Sequence, residues 1–360
     1  MRIAYFGTPE FAVPSLERLS GAGHRLLVVT QPSRPQGRGL HPMASPVGRR
    51  AAELGWPVLE RATLRDEVAS GPLLEFAPEI VVVVAFGLIL RRPLLELAPL
   101  GAVNLHPSRL PRHRGVAPIP WTILTGDRTT AVTTMRMDEG IDTGDVLQMT
   151  PVDVLPEENA IELGGRLALL GADLVQDTVI GLAQGELTSH PQAAAGATYA
   201  PRLEKVHGHL DWTRPGDFLA RQVRAMAGWP GARAQLGSEV LAIHGAREIS
   251  GSVAGASPGV VTALDREGIQ VATGGGELLL TAVQAAGKRP LNALDYARGR
   301  RLEPGARFTS LEGAGTLYET LAAVERGEGW PVRRSSGGTG KAGAENVGTG
   351  NAGAENARGQ

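Results

Sequence analysis

The sequence contains no cysteine. That absence excludes a disulfide framework, a thiol nucleophile and any cysteine-ligated zinc or iron–sulfur centre. No apolar run approaches the ~20 residues a membrane helix needs, so no span and no membrane association are expected. Met1-Arg2-Ile3-Ala4-Tyr5-Phe6 passes straight into a strand-like pattern, with no charged leader, apolar stretch and small-residue cleavage site. No signal peptide is read, and the cytoplasm is the expected compartment. Net charge is almost absent too, with 36 Lys+Arg against 37 Asp+Glu, which over the whole chain argues against a nucleic-acid partner. Acid is missing locally, however. Between Arg18 and Ala52 there is no Asp or Glu, but Arg18, Arg25, Arg34, Arg38, Arg49 and Arg50 are present. Leu97 to Gly126 is again acid-free and carries Arg109, Arg112 and Arg114 with His106 and His113. Two such windows suit a local positive face for an anionic ligand, although solvated loops would show the same composition.

What the chain does have is length, 360 residues, and a hydrophobic content of 42%. Both fit two domains with a sizeable core rather than one. Ile3 to Phe6 reads as a strand ending in the turn Gly7-Thr8-Pro9, and a helix follows to about Ser20. Arg25 to Thr30 is a second strand, Gln31 to Ser45 a long Pro/Gly loop, and 48–55 helical. Ile80-Val81-Val82-Val83-Val84-Ala85 is apolar on both faces, as a buried parallel strand must be. Gly101 to His106 is another buried strand whose end turns polar. Ala131 to Met137 and Val146 to Met149 follow as strands, and 157–185 as a long helix. Alternating strands and helices predict a doubly wound α/β sheet over 1–188. The Ala/Gly/Pro-rich stretch 189–206 reads as a linker. Short strands between Gly-rich turns predict a small β-barrel over 207–310. Beyond it, 311–360 holds one helix, about 314–326, and then a near-repeat, TGKAGAENVG followed by TGNAGAENAR. Such a composition cannot bury enough surface to offset chain entropy, so disorder is expected there.

The first strand–helix turn, Gly7-Thr8-Pro9-Glu10, has one glycine and a proline that removes a backbone N–H. The second strand ends Val29-Thr30-Gln31, without an acid. Both features argue against a nicotinamide-dinucleotide site. The polar end of the buried strand is more informative. Asn104 and His106 lie two residues apart, so period two places both on one sheet face, at the carboxyl end where open α/β sheets build their sites. An amide can donate to an oxygen gaining charge, and an imidazole can donate or shuttle a proton. Equally, Asn104 could cap the strand end and His106 could be a bonded core histidine. Asp138-Glu139-Gly140-Ile141-Asp142-Thr143-Gly144-Asp145 is a tight acidic loop without the spacing of a calcium loop. Asp142 could orient His106, or cap the following element.

Six collinear segments carry a resemblance. They are Gly7-Thr8-Pro9-Glu10-Phe11-Ala12, Gln31 to Gly39, Val81 to Leu90, Asn104-Leu105-His106-Pro107-Ser108, Arg114-Gly115 and Gly140 to Asp145. With Asp211-Trp212, Trp229-Pro230-Gly231-Ala232 and Gly287-Lys288-Arg289, the chain over about 1–310 resembles the methionyl-tRNA formyltransferase family. The resemblance implies a Rossmann-like formyltransferase domain followed by an OB-like β-barrel. It implies 10-formyltetrahydrofolate as donor and the α-amine of initiator methionyl-tRNA as acceptor, with no metal, no nicotinamide cofactor and no stable protein partner. Asn104 and His106 would meet the formyl oxygen, and Asp142 would hold His106 and help take the amine proton. Ser108, Arg109, Leu110 and Pro111 would contact the folate, with Leu88, Ile89 and Leu90 framing its pterin. The Gln31 to Ser45 loop, through Arg38 and Arg34, would reach the tRNA acceptor end. Lys288 and Arg289, with Arg298, Arg300 and Arg301, would add contacts from the barrel.

Three positions depart from the family pattern: Arg109 stands where an apolar residue is usual, Phe86 where a Tyr is usual, and Gln284-Ala285-Ala286-Gly287 where Gln-Pro-Ala-Gly is usual. Two other readings stay open. One is the same chemistry on a small amine such as glycinamide ribonucleotide or a nucleotide sugar. The other is a non-catalytic RNA-binding protein, which would keep the basic loop but has no need of Asn104, His106 and Asp142 together.

Overall fold

The computed structural model describes residues 1–36, 41–64, 71–249 and 255–325. Five parallel strands form the centre of the first domain: β1 (Arg2–Gly7), β2 (Arg25–Thr30), β5 (Val58–Glu60), β6 (Ile80–Val84) and β7 (Ala102–His106). The order across the sheet is β10-β9-β7-β6-β1-β2-β5, where β9 (Thr129–Arg136) and β10 (Val146–Asp153) complete one edge antiparallel. The chain leaves β1 toward β2 and later returns to its other side through β6. The order therefore reverses between β1 and β6, which opens a crevice at their carboxyl ends.

The strands are apolar on both faces because both faces are covered. Ile3, Tyr5, Val28, Val82, Val103 and Leu105 pack with α1 (Val13–Gly21), α2 (Pro46–Glu53) and α6 (Ala160–Gln184). Ala4, Phe6, Val29, Val81, Val83 and Ala102 point the other way, toward α3 (Pro72–Phe76) and α4 (Arg92–Leu95). α6 is 25 residues long and apolar enough by composition to cross a membrane. Here Leu163, Leu167, Leu174, Val175 and Val179 bury one face of it in the domain core. Asn159 caps its start, its side chain accepting from Ile161 and Glu162 N–H, with Glu162 reciprocating.

The Gln31 to Ser45 stretch, expected as a loop, contains a short antiparallel ribbon: β3 (Arg34–Gln36) pairs with β4 (His41–Met43). Prolines 35 and 42 are register partners, which an isolated two-strand ribbon tolerates because its outer edges need no partner. Arg38 and the side chain of Arg34 lie outside the described residues, as does the repeat-bearing segment 326–360. The stretch read as a plain linker is bonded in place: β11 (Tyr199–Ala200) pairs in parallel with β8 (Arg114–Gly115), and His190 exchanges backbone hydrogen bonds with Val146.

After α7 (Gly216–Ala225) the chain forms an antiparallel sheet ordered β14-β15-β16-β13-β12-β18. Its strands are β12 (Ala232–Leu236), β13 (Glu239–Ile249), β14 (Val261–Asp265), β15 (Gly268–Ala272), β16 (Glu277–Ala285) and β18 (Phe308–Thr309). β17 (Leu291–Asn292) pairs with β16 ahead of α8 (Ala293–Arg300), and α9 (Thr316–Glu325) comes last. Gly259 and Val261 bond to Phe308, Gly305 and Ala306, so the two ends of the sheet meet and it curls toward a barrel. The two domains touch through α7 and α5 (Pro118–Leu124), where the Arg221 guanidinium donates to the Leu124 carbonyl (3.2 Å); the Trp121 indole of α5 donates to the Pro201 carbonyl of the connector (2.8 Å).

Candidate active site

β7 sets two polar groups on one face by alternation. Val103 and Leu105 enter the core beneath α6, so Asn104 and His106 share the opposite face with Ala102. Helix α6 passes close behind this strand because residue 171 is glycine; a Cβ there would stand 2.5 Å from the Leu105 Cδ2. The third group comes from the turn between β9 and β10. Asp138 shapes that turn by accepting from the Gly140 N–H (3.0 Å) and the Thr143 hydroxyl (2.8 Å). Asp142 itself sits in the left-handed region at φ 53, uncommon for a residue with a Cβ.

These elements bring Asn104, His106 and Asp142 together, as the resemblance implies. Asn104 Nδ2 donates to Asp142 Oδ1 over 3.4 Å, a long bond, and the Gly115 N–H donates to Asp142 Oδ2 over 2.8 Å. His106 is 4% exposed; its Nδ1 stands 3.6 Å from Asp142 Oδ2 and its Nε2 lies 2.9 Å from the His113 carbonyl. A carbonyl only accepts, so Nε2 carries a proton, and Nδ1 is the ring atom that faces the Asp142 carboxylate. A proton can be shared between Nδ1 and that carboxylate. Nε2 is committed to His113, which leaves Nδ1 as the His106 atom turned to the site.

Behind His106 stands a second ionic group. His113 Nε2 and the Arg112 guanidinium both bond Asp127, at 2.7 Å for His113 and at 2.8 and 2.7 Å for Arg112. Burial alone would raise the Asp127 carboxyl; the bonds from His113 and Arg112 outweigh it and hold it down at about 2. Burial lowers His113, and Asp127 offsets part of that. A cavity of about 340 Å³ lies against this group, lined by Arg109 to His113 and Asp127 to Thr130; Asn104, His106 and Asp142 do not line it.

The other expected residues are distributed as follows. Ser108 is buried, and its hydroxyl donates to the Arg112 carbonyl (2.7 Å), closing the 108–112 turn. Leu110 is buried, Pro111 follows it through a cis bond, and Arg109 is exposed. Leu88 to Leu90 lie beside the β1–β6 crevice. Leu90 is buried, Ile89 is 64% exposed, and no backbone hydrogen bond joins these three to the described residues. The Phe86 carbonyl accepts from the Thr8 hydroxyl and the Gln31 amide, and its ring packs edge-on against Phe6. Lys288 and Arg289 are exposed between β16 and β17, on the other domain, and are not brought to the cluster. Of the expected barrel arginines, Arg300 is paired with Glu239 (2.7 Å) and Arg298 with Asp295 (3.9 Å).

Sequence reasoning misses the groups that hold Asp142. The Gly115 N–H is a backbone donor, marked only by the Arg114-Gly115 motif; φ there is 114, and a Cβ would stand 2.8 Å from the Ala200 carbonyl oxygen, so glycine is required. Gln192, in the supposed linker, bonds the Asp142 loop directly, and no periodicity or motif marks it.

Residues 1–179 match the family model described as formyl transferase, and residues 202–301 match its C-terminal domain. The methionyl-tRNA formyltransferase of Myxococcus xanthus is 44% identical over 306 residues, 85% of this chain and 97% of that one. A protein of the same name from Thermus thermophilus is 43% identical over 309 residues, 86% and 99% of the two chains. Solved folds agree at low identity. The sugar 3N-formyl transferase WlaRD aligns at TM-score 0.58 and 15% identity, covering 80% of this chain and 99% of that one. The Helicobacter canadensis N-formyltransferase aligns at TM-score 0.59 and 16% identity, covering 79% and 98%. With near full-length relatives at this identity, and with both formyl transferase domains in order, the chain belongs to the methionyl-tRNA formyltransferase family.

Proposed function

We propose that this chain moves the formyl group of 10-formyltetrahydrofolate to the α-amine of methionine on initiator tRNA, in the cytoplasm. The observation that carries the chemistry is the meeting of Asn104, His106 and Asp142 at the carboxyl end of β7. When bound, the donor supplies an activated formyl carbon. The residues fit it: a crevice at the strand-order reversal, an exposed Ile89, and backbone groups of Leu88 to Leu90 available to a flat heterocycle. Ser108 to Pro111 form the turn on the other side of the β7 end.

Asn104 needs only to release a 3.4 Å bond to aim its N–H₂ at an oxygen that gains negative charge. Asp142, anchored by Gly115, accepts the proton that the attacking amine must lose, with His106 Nδ1 3.6 Å away to share it; the balance closes as the bond from the formyl carbon to the folate nitrogen breaks and that nitrogen takes up a proton. His113 keeps the His106 ring turned correctly for that task. The choice of a tRNA acceptor rests on the near full-length relatives of that name. Arg38 and Arg34 are proposed to meet the acceptor end, with Lys288 and Arg289 adding phosphate contacts.

Asn104→Ala tests the reading. Turnover should fall by about 10²–10³, the usual cost of one oxyanion donor, while tRNA binding is kept. The acceptor is tested by offering methionyl initiator tRNA, methionyl elongator tRNA and glycinamide ribonucleotide with one donor. Preference for the first supports the proposal, and preference for glycinamide ribonucleotide overturns it.

A further inference from the structure

The connector between the two domains reaches the catalytic loop through one side chain. Gln192 Nε2 donates to the Asp142 carbonyl (2.9 Å) and to the Gly144 carbonyl (2.7 Å). Its Oε1 accepts from Arg114 Nε (3.0 Å) and Nη2 (2.7 Å). Carbonyls only accept and a guanidinium only donates, so the orientation of the amide follows from its partners, and both of its donors and both of its lone pairs are used. Arg114 is buried at 9% exposure and forms no ion pair among the described residues. Gln192 is therefore a brace with one end on β8, next to the Gly115 N–H that holds Asp142 Oδ2, and the other on the backbone of Asp142 itself.

The loop needs such a brace. A left-handed backbone at a residue with a Cβ persists only where its surroundings over-determine it. Asp138 and Thr143 order the front of the turn, but the carbonyls of residues 142 and 144 depend on Gln192. The connector is itself secured on both sides of residue 192. His190 exchanges two backbone bonds with Val146 (2.9 and 2.8 Å), and the Thr198 carbonyl accepts from the Arg114 N–H (2.9 Å).

We propose that Gln192 is a positioning residue for formyl transfer, holding the Asp142 carboxylate at His106 and Asn104 from the interdomain connector. This rests on the reading of Asp142 as proton acceptor given above. Two variants separate the two ends of the brace. Gln192→Leu removes both. Gln192→Glu keeps the acceptors for Arg114, as an ion pair, but turns an oxygen toward the two loop carbonyls. Rates are normalised to the folded fraction from urea unfolding, so lost stability does not count as lost turnover. Both variants should lose about 10–100-fold in kcat, as expected for a misplaced reacting group, with KM for methionyl-tRNA and donor within about twofold of the parent. Introduced into Asp142→Asn, either should add little, because both changes act through one carboxylate. Full kcat in Gln192→Glu, a loss confined to KM, or an undiminished effect in the Asp142→Asn background would each overturn the positioning role. If Asp142→Asn alone kept wild-type turnover, the reading of the site would fail instead.

Discussion

Asp127 shows how a charge away from the chemistry can set the geometry of the site. It is pulled up by burial and down, further, by His113 and Arg112. The ring it fixes belongs to a residue at φ 58 whose carbonyl receives the His106 Nε2 proton. Asp127→Asn removes the charge from three bonds. Hydrogen bonds to charged groups contribute about 1.5–3 kcal/mol each, and with Arg112 partly exposed the net loss expected is about 2 kcal/mol. A urea midpoint unchanged from the parent would refute this. Turnover should fall as well, because a freed His113 no longer fixes the tautomer of His106.

Between elements, the decisive contact is α6 behind β7. Leu105 lies between Asn104 and His106 and points into the core, where Gly171 leaves room for it. Gly171→Ala would press a methyl on Cδ2, Cδ1 and Cγ of a leucine only 2% exposed. Overpacking of this kind costs about 1–3 kcal/mol, and the strand that yields is the one carrying the site. We expect a lower melting temperature together with a lower kcat; a melting temperature equal to the parent's would show that the helix simply moves away.

The same strand marks what can be read from sequence. Its two-residue period assigned Asn104 and His106 to one face, and the run Ile80 to Val84 declared a doubly covered sheet, because both are properties of a single strand in a fixed pleat. β12 and β13 are harder to read, because Arg233, Glu239 and Arg247 break up the apolar residues along them. Asp142 could be suspected but not placed, since its approach depends on the packing of a loop with positive φ. Gln192 could not be suspected at all. Its bonds are to backbone carbonyls and to Arg114, and such contacts leave no trace in spacing.

Across the whole molecule, one continuous core runs from the parallel sheet through Trp121, Leu203 and Leu210 to Phe218 and the curled sheet. Besides His106, three histidines are buried along its length, in places that do not touch one another: His24 against the N-terminus, His113 at the site, and His207 at the entry to the second domain. Burial is the first cause of a lowered pKa in each; the N-terminal charge adds to it at His24, and neighbouring carboxylates offset part of it at all three. The sign is therefore common to all. Below about pH 6.5, the ordinary histidine value, the unfolded chain takes up protons that the folded chain refuses, so stability falls as pH falls. Glu79, Asp127, Asp211 and Asp265, all held below their ordinary values, extend the loss under about pH 4 as unfolded carboxylates protonate first. The urea midpoint should accordingly decrease steadily from about pH 7.5 to about pH 5, and His207→Asn should flatten that decrease by removing one of the three contributions. A midpoint that held constant or rose toward the acid end of that range would mean that these rings take their protons without unfolding, and that the core opens to water locally at each of them.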